Sequence, residues 1–339
     1  MTETLIDIGG RLVGPGRPCF IVAEAGINHN SDPALADRMV DAAAESGASA
    51  IKFQTFKADR LVALTNAESQ HALLSRYELS EDLHRRLQAR CKIRNLIFLS
   101  TPFDESSADF LESLGVPAFK IASGDLTHPG LLAHVARKRR PMIVSTGMAT
   151  LDEVAAAVGT IRAAGNSDIV LLHCVSNYPA RPDESNLRAM QALQREFGVL
   201  VGFSDHTPGV DVAPAAVSMG ACVIEKHFTL DRDLPGPDHS FSLNPADLAE
   251  LVRRVRVVEA ALGDGQKRPT ESERLTARGA RKSLVAARLI AAGSRLTREV
   301  IAIKRPGTGL PPGRLDEVVG RRARVDIPEG ALLTEEMFQ

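Results

Sequence analysis

The chain carries the segment VGFSDHTPGV at residues 201–210 and the segment GACVIEKHFTLDRDLPGPDH at residues 220–239. Each segment contains an apolar run that is long enough for a buried strand and too short for a helix. His206 follows the first run and His227 the second, at a separation of 227 − 206 = 21 positions, about one βα unit. Neighbouring parallel strands would bring the two imidazoles together, which predicts a site for a divalent metal ion. The alternative is a pair of hydrogen-bonded histidines near a loop.

The pattern of an apolar run followed by a helix recurs along most of the chain. Apolar runs occur at residues 20–23, 50–53, 96–99, 118–121, 142–144, 169–172, 200–203 and 222–224. The helices predicted after them cover residues 33–45, 81–92, 106–114, 131–139, 152–163, 186–197, 210–219 and 245–262. Eight strands that alternate with helices over about 250 residues are typical of an α/β protein with a (β/α)8 TIM barrel. A doubly wound open sheet is the alternative.

Polar side chains stand at the carboxyl end of nearly every predicted strand. In a barrel these ends converge on one mouth, whereas an open sheet spreads them along a line. The residues are Glu24, Lys52, Thr101, Lys120, Ser145, His173, His206 and His227. We therefore favour the barrel and expect its active site at this mouth.

The chain changes character after the last predicted helix. Residues 266–280 contain few apolar positions and are predicted to form a linker with a helical turn. The segments ARLIAAGSRLTREVI at 287–301 and ARVDIPEGALLTEEMF at 323–338 share Ile, Gly, Leu-Thr and Glu at equivalent positions. This repeat predicts a small, mainly β domain of two similar halves. The predicted domains are thus a barrel over 1–265, the linker, and a C-terminal domain over 281–339.

Composition limits the class of protein. The 339 residues carry a net charge of −1, with 44% hydrophobic and 24% charged residues, as in an ordinary globular protein. The small net charge predicts no nucleic-acid partner and no anionic membrane partner. No apolar run has membrane-spanning length, and the amino terminus is too polar for a signal peptide. Cys19, Cys91, Cys174 and Cys222 follow no metal-binding spacing, so we expect reduced thiols in a cytoplasmic protein.

The residues at the predicted mouth suit a small substrate that carries phosphate and carboxylate groups. Lys52 and Lys120 supply cationic donors. Hydroxyl groups come from Thr101, Ser123, Ser145, Ser176 and Ser204. Carboxylates for sugar hydroxyls or for proton transfer come from Glu24, Asp125, Glu225 and Asp238. The alternative is that both lysines are buried ion-pair partners of these acids. Walker A and GxGxxG sequences are absent, so no nucleotide site is predicted.

Nine motifs follow one another along the chain: IVAEAGINHN, IKFQTF, STPFD, FKIASGD, VSTGM, LLHCVSNYP, GFSDHT, EKHFTLDR and GPDH. They resemble those of the bacterial N-acetylneuraminic (sialic) acid synthases and their nonulosonic-acid relatives. The C-terminal repeat with KRPGTG resembles the antifreeze-like (SAF) domain of that family. The resemblance implies condensation of phosphoenolpyruvate with an N-acetylated hexosamine, N-acetylmannosamine in the best-known branch, and release of phosphate. It also implies Mn²⁺ or Mg²⁺ on His206 and His227.

The resemblance also implies a role for each matching residue. The phosphoenolpyruvate set is Lys52, Thr101, Lys120, Ser123, Ser145 and Ser204, and the sugar set is Glu24, Gln54, Tyr178 and Asp238. Glu225 matches the carboxylate that activates water, and with the two lysines it forms the predicted catalytic set. Arg305 matches an arginine that reaches the partner's site in a domain-swapped homodimer. Asp125 is expected to contact a sugar hydroxyl, and Ser176 replaces an asparagine that relatives often carry.

Four functions compete at this point. The leading hypothesis is an N-acetylneuraminate synthase, and its near rival is the same chemistry on a 2,4-diacetamido-trideoxyhexose, which gives legionaminic or a related acid. A non-catalytic carbohydrate-binding barrel would have lost functional groups at the mouth, and none is lost. An aldolase that forms a Schiff base on Lys120 would need neither metal nor phosphoenolpyruvate, and borohydride would trap it.

Overall fold

The computed structural model describes residues 4–63 and 68–339. They divide into two units between Gly263 and Asp264. The first unit starts with an antiparallel hairpin of β1 (Ile6–Ile8) and β2 (Arg11–Val13). In the described part of the chain, no helix is both long and apolar enough to cross a membrane.

Eight parallel strands follow the hairpin. They are β3 (Phe20–Gly26), β4 (Ala50–Thr55), β5 (Ile97–Pro102), β6 (Phe119–Ile121), β7 (Met142–Ser145), β8 (Ile169–Cys174), β9 (Leu200–Asp205) and β10 (Val223–His227). Their order in the sheet is β5-β4-β3-β10-β9-β8-β7-β6, so the first and the last of them are hydrogen-bonded neighbours. β5 and β6 pack side by side and nearly close the ring. The predicted (β/α)8 barrel is confirmed, and the doubly wound open sheet is wrong because its edge strands would lie apart.

Helices connect the strands and surround them. They are α1 (Pro33–Glu45), α2 (Ala58–Leu61), α3 (Glu68–Ser75), α4 (Glu81–Ile93), α5 (Glu105–Leu114), α6 (Pro129–Ala136), α7 (Leu151–Ala163), α8 (Arg188–Phe197), α9 (Val212–Ser218) and α10 (Pro245–Leu262). Local sequence sets their ends. The Asp104 carboxylate accepts from Ser107 N at the start of α5 (2.9 Å), and Gly115 ends this helix in the left-handed region (φ 81°).

The side chains of each strand alternate between two buried layers. One layer fills the barrel interior and includes Val22, Leu172 and Val223. The other lies between strands and helices and includes Phe203 and Ile224. Since this alternation continues to the strand ends, neighbouring residues there face either the mouth or the helix layer. This alternation decides which polar residues of β9 and β10 can reach a substrate.

The second unit contains α11 (Glu271–Ala280), β11 (Ser283–Ala286), β12 (Ile301–Lys304) and α12 (Leu315–Val318), with β11 and β12 antiparallel. The two copies of the sequence repeat pair with each other. Ile290 and Ile327, which are equivalent positions, exchange backbone hydrogen bonds of 2.9 and 2.8 Å. Both side chains are buried in the core of this unit. The predicted small, mainly β C-terminal domain is confirmed.

The segment predicted as a linker differs from its prediction. Most of residues 266–280 belongs to α11, a ten-residue helix, and the division into units assigns it to the second unit. Thr270 and Glu273 form a capping box at its start, with Thr270 Oγ1 accepting from Glu273 N at 3.3 Å. None of the residues of α11 is buried, so the helix has no apolar stripe that periodicity could detect.

Candidate active site

A cavity of about 270 Å³ opens at the carboxyl ends of the barrel strands. It is lined by Glu24, Lys52, Gln54, Thr101, Phe103, Lys120, Ala122, Ser123, Ser145, Cys174, Tyr178, Ser204, His206, Glu225, His227 and Asp238. The strands place these residues together because parallel strands end on the same side of a barrel. Thirteen of the sixteen lining residues belong to the set predicted from the sequence.

Two lysines and two glutamates form a buried charge cluster in this cavity. Lys52 Nζ lies 2.7 Å from Glu24 Oε2 and 3.8 Å from Glu225 Oε1, and Lys120 Nζ lies 3.5 Å from the same Glu225 oxygen. All four side chains are less than a tenth exposed. Both lysines are thus buried ion-pair partners of glutamates, which is the alternative considered from the sequence. They also line the cavity, so the pairing does not remove them from a substrate.

The fold shifts the pKa values of this cluster in different directions. Burial raises the pKa of Glu24 to about 7, although Lys52 opposes the shift. Burial also acts to raise the pKa of Glu225, but the attraction of Lys120 and Lys52 outweighs it and the pKa is lowered. Glu225 is therefore a carboxylate at neutral pH, whereas Glu24 exchanges its proton near pH 7.

Hydroxyl groups extend the reach of the lysines. Lys52 Nζ donates to Thr101 Oγ1 at 3.1 Å, and Lys120 Nζ donates to Ser145 Oγ at 2.8 Å. A hydroxyl oxygen that accepts from an ammonium keeps its own proton free to donate. Each lysine and hydroxyl pair therefore offers two donors to an anion, which suits a phosphate or a carboxylate.

The two predicted histidines lie side by side in the cavity, with ring centroids 5.4 Å apart. His206 Nδ1 donates to the carbonyl of Val175 at 2.7 Å, which leaves Nε2 as the nitrogen with a lone pair. His227 Nδ1 is buried and has no hydrogen-bond partner, and Asp238 Oδ2 is 3.9 Å from it. Burial lowers the pKa of both histidines, so both are neutral near pH 7.

These residues fit a divalent metal ion. Neutral imidazole nitrogens bind divalent ions of the first transition row, and a buried nitrogen without a hydrogen-bond partner needs one. The described residues contain no group of three or more His, Cys, Asp or Glu in a metal-binding arrangement. His206 and His227 are thus the side chains that would hold a metal ion here.

Two predicted residues of the barrel, Asp125 and Ser176, are not among the residues that line the cavity. Asp125 lies in a 3₁₀ turn after β6, and burial raises its pKa to about 6. Ser176 Oγ is buried without a partner, next to Gly147, where a side-chain methyl group on that glycine would stand 2.2 Å from it. Arg305 follows β12 in the second unit, so its role stays a prediction. His173, which also ends a strand, instead contacts the Ser185 carbonyl at 2.8 Å.

Sequence reasoning missed three lining residues. Cys174 Sγ lies 3.2 Å from Ser123 Oγ, a predicted substrate contact. Phe103 and Ala122 complete the lining. Phe103 comes directly after the strand β5 and two positions after Thr101, so its place in the motif STPFD could have indicated it. Phe103 was not predicted because the site residues were selected for polar side chains at the strand ends, and its side chain is apolar.

Comparison with known proteins identifies the family. The profile of the NeuB family matches residues 39–267, and that of the SAF domain matches residues 281–339. The chain belongs to the NeuB family. It is 45% identical to the N,N'-diacetyllegionaminic acid synthase of Legionella pneumophila, over 96% of each chain. It is 37% identical to the human N-acetylneuraminate-9-phosphate synthase, over 97% of this chain and 95% of the other.

A solved structure agrees with this assignment. The crystal structure of the N-acetylneuraminic acid synthetase of Leptospira borgpetersenii, in complex with citrate, is similar with a TM-score of 0.77 and 36% identity. The alignment covers 81% of this chain and 95% of that one. As a member of this family, the chain is an enzyme, a phosphoenolpyruvate-dependent condensing synthase of the transferase type. The resemblance seen in the nine motifs is confirmed.

Proposed function

We propose that this NeuB-family enzyme condenses phosphoenolpyruvate with the open-chain form of a 2,4-diacetamido-trideoxyhexose, giving a legionaminic-type acid and phosphate. The observation that carries the reaction is one cavity that combines two buried lysines, their hydroxyl partners and two neutral histidines. The choice of sugar is supported by the 45% identity to the Legionella enzyme, against 37% to the human one. N-acetylmannosamine is the second candidate, supported by the likeness to the Leptospira synthetase.

The anionic substrate would bind at the lysines. Lys52 lies within hydrogen-bonding distance of Thr101, and Lys120 lies within hydrogen-bonding distance of Ser145. Each pair offers hydrogen-bond donors to an anion. These donors match the phosphate and the carboxylate of phosphoenolpyruvate, which is small enough for the cavity. Ser123 and Ser204 also line the cavity and belong to the proposed set, whereas Ser176 lies next to Gly147 and is not among the lining residues. We expect Ser176 to act on the substrate only through its neighbours.

The sugar would bind where Glu24, Gln54, Asp238 and Tyr178 line the cavity. A divalent ion, Mn²⁺ or Mg²⁺, would be held by His206 and His227, and when bound it would polarise the aldehyde. The Tyr178 ring packs on His206, with centroids 4.3 Å apart, and fixes that imidazole from one side. Val175 and Tyr178 thus orient His206, one of the two proposed ligands, before any substrate arrives.

The reaction forms a carbon–carbon bond to the sugar and replaces the carbon–oxygen bond to phosphate by a carbon–oxygen bond to water. The methylene carbon of phosphoenolpyruvate attacks the aldehyde carbon, and water adds to the carbon that carries the phosphate ester. The bond from that carbon to the ester oxygen then breaks, phosphate leaves with the electron pair, and the added hydroxyl gives its proton to the phosphate and becomes the keto group of the product. Glu225, a carboxylate at neutral pH, accepts the proton of the water. Glu24, whose pKa is about 7, gives a proton to the sugar oxygen that becomes a hydroxyl.

We also propose that two copies of the chain form a domain-swapped homodimer in which Arg305 of one copy completes the site of the other. Support comes from the sequence KRPG around Arg305 and from the separate C-terminal unit. Mixing Arg305→Ala subunits with His227→Ala subunits tests this arrangement, because a mixed dimer would contain one site with both native residues. Recovery of activity after mixing supports the swap, and continued inactivity of a mixed dimer that is shown to form refutes it.

Phosphate release tests the reaction and the choice of sugar together. The purified protein is given phosphoenolpyruvate with either sugar, in Mn²⁺ and in EDTA. We expect metal-dependent release with the 2,4-diacetamido-trideoxyhexose and much slower release with N-acetylmannosamine. The reverse preference would move the enzyme to the N-acetylneuraminate branch, and absence of release with both sugars would contradict the proposed substrate class.

A further inference from the structure

The strand ends that carry the two histidines also carry a second set of charges on their other face. In β9 and after it, Ser204 and His206 line the cavity, and Asp205 between them does not. In β10, Glu225 and His227 line the cavity, and Lys226 between them does not. By strand alternation, both residues share the helix-side layer with Phe203 and Ile224. Neither therefore takes part in the chemistry proposed above.

Asp205 and Lys226 form an ion pair with almost no contact with solvent. Lys226 Nζ lies 2.9 Å from Asp205 Oδ2, and the two side chains are 2% and 0% exposed. Their Cα positions are register partners in the β9–β10 ladder, and this is its last pair. A buried pair of this kind is weak evidence for stability, because the cost of removing two charges from water offsets their attraction. Its place in the fold points instead to the control of geometry.

Both members of the ion pair form hydrogen bonds with Thr207, the residue that follows His206. Asp205 Oδ1 accepts from Thr207 N at 2.8 Å and from Thr207 Oγ1 at 2.7 Å, which closes a tight turn over the histidine. Lys226 Nζ donates to the carbonyl of Thr207 at 2.5 Å. Lys226 thus contacts both Asp205 and Thr207, the residues on either side of His206. In its own strand, Lys226 directly precedes His227.

We infer that Asp205 and Lys226 are positioning residues that set the distance and orientation of His206 relative to His227. The inference rests on the proposed function, in which these histidines hold the metal. The backbone ladder between β9 and β10 ends at Asp205, one residue before the first histidine. The ion pair continues the connection past that point, so both imidazoles are tied to one rigid unit. Groups that orient metal ligands in this way change metal affinity when they are removed.

Binding of Mn²⁺ to the full-length protein tests the inference directly. Lys226→Met keeps the buried stem and removes both contacts, and we expect it to weaken the Mn²⁺ Kd about tenfold or more. The Kd is measured from the electron paramagnetic resonance signal of free Mn²⁺, and the unfolding midpoint is measured in parallel. Lys138→Met is the matched control, since Lys138 is 7% exposed and pairs with Asp109 and Glu112 away from the cavity. We expect this control to lose stability without a change in the Mn²⁺ Kd.

The outcomes separate a positioning role from a merely structural one. A folded Lys226→Met protein with a Kd within twofold of wild type overturns the inference, whatever its stability. If that variant does not fold, Asp205→Asn replaces it, because the amide oxygen still accepts from Thr207 and only the charge is lost. An unchanged Kd in Asp205→Asn then overturns the inference, and a severalfold weaker Kd supports it. An unchanged Kd in His206→Ala would instead contradict the metal assignment of the proposed function.

Discussion

The two cavity lysines differ in how the fold affects their charge, and the difference predicts unequal effects of their removal. Burial acts to lower the pKa of Lys52, but the attraction of Glu225 and Glu24 outweighs it, and the pKa is raised. Burial lowers the pKa of Lys120, and the attraction of Glu225 does not compensate. When the pKa of a lysine is raised, the native state favours the charged ammonium form. When the pKa is lowered, the native state disfavours that form. Loss of the charge should therefore destabilise the fold more at Lys52 than at Lys120.

The distances give the size of the effect. Lys52→Met leaves Glu24 without the ammonium at 2.7 Å, and the loss of one partner of a buried ion pair costs about 3–5 kcal/mol of unfolding free energy. Lys120→Met leaves Glu225 with Lys52 at 3.8 Å, so we expect a smaller loss of unfolding free energy than in Lys52→Met. If both lysines bind phosphoenolpyruvate as proposed, each variant loses a charged hydrogen bond worth about 1.5–3 kcal/mol, and we expect the KM to rise about ten- to a hundredfold.

The assay combines kinetics with unfolding. Phosphate release is measured while phosphoenolpyruvate is varied at saturating sugar and then the reverse, and urea unfolding gives the stability. Lys138→Met serves as the control for loss of a paired lysine, and both of its KM values should match the wild type. A wild-type KM for phosphoenolpyruvate in Lys120→Met would refute its role in binding that substrate. Equal losses of stability in Lys52→Met and Lys120→Met would refute the electrostatic reasoning.

Four further changes have defined outcomes. His227→Ala should abolish Mn²⁺-dependent phosphate release, and a wild-type rate would exclude this residue as a ligand. Truncation after Gly263 should leave a folded barrel by circular dichroism but little turnover, and full turnover would contradict the swapped-domain proposal. Gly147→Ala places a methyl group 2.2 Å from Ser176 Oγ, so the KM for phosphoenolpyruvate should rise more than that for the sugar. A hydrogen bond from an arginine of α4 lowers the pKa of Asp41, so the stabilising effect of this carboxylate is lost as the pH falls. The free energy of urea unfolding of Asp41→Asn should therefore depend less on pH between about pH 6 and pH 3 than that of the wild type.

The barrel was predictable because its signal is local and repeated. Each buried parallel strand is an apolar run of a few residues, and a polar residue marks the end of nearly every run. The C-terminal domain was predictable for a related reason, since Ile290 and Ile327 occupy equivalent places in the repeat and pair with each other in the fold. The helix α11 escaped because its stability signal is a capping box between Thr270 and Glu273, which an argument from apolar periodicity ignores.

The candidate site was predictable in its members more than in its interactions. The motifs point to Lys52 and Glu225, but the sequence does not show that one glutamate faces two lysines, because that contact joins three different strands. The ion pair of Asp205 and Lys226 was missed for the opposite reason. Both residues stand inside the motifs, where every polar residue invites a catalytic role, and only the alternation of the strands separates the two faces.

The charge balance of the cavity reconciles two interpretations of its lysines. Lys52 and Lys120 carry two positive charges, and Glu24 and Glu225 together carry two negative charges when both are ionised, so a fully ionised cavity offers an anion no net attraction. Because burial raises the pKa of Glu24 to about 7, some of the molecules carry a protonated Glu24 at neutral pH, and in these molecules the two lysines and two glutamates have a net positive charge. A bound anion raises the pKa of a neighbouring carboxyl further, so substrate binding draws the proton onto Glu24. We therefore expect protonation of Glu24 to free Lys52 and Lys120 for the phosphate or the carboxylate of phosphoenolpyruvate.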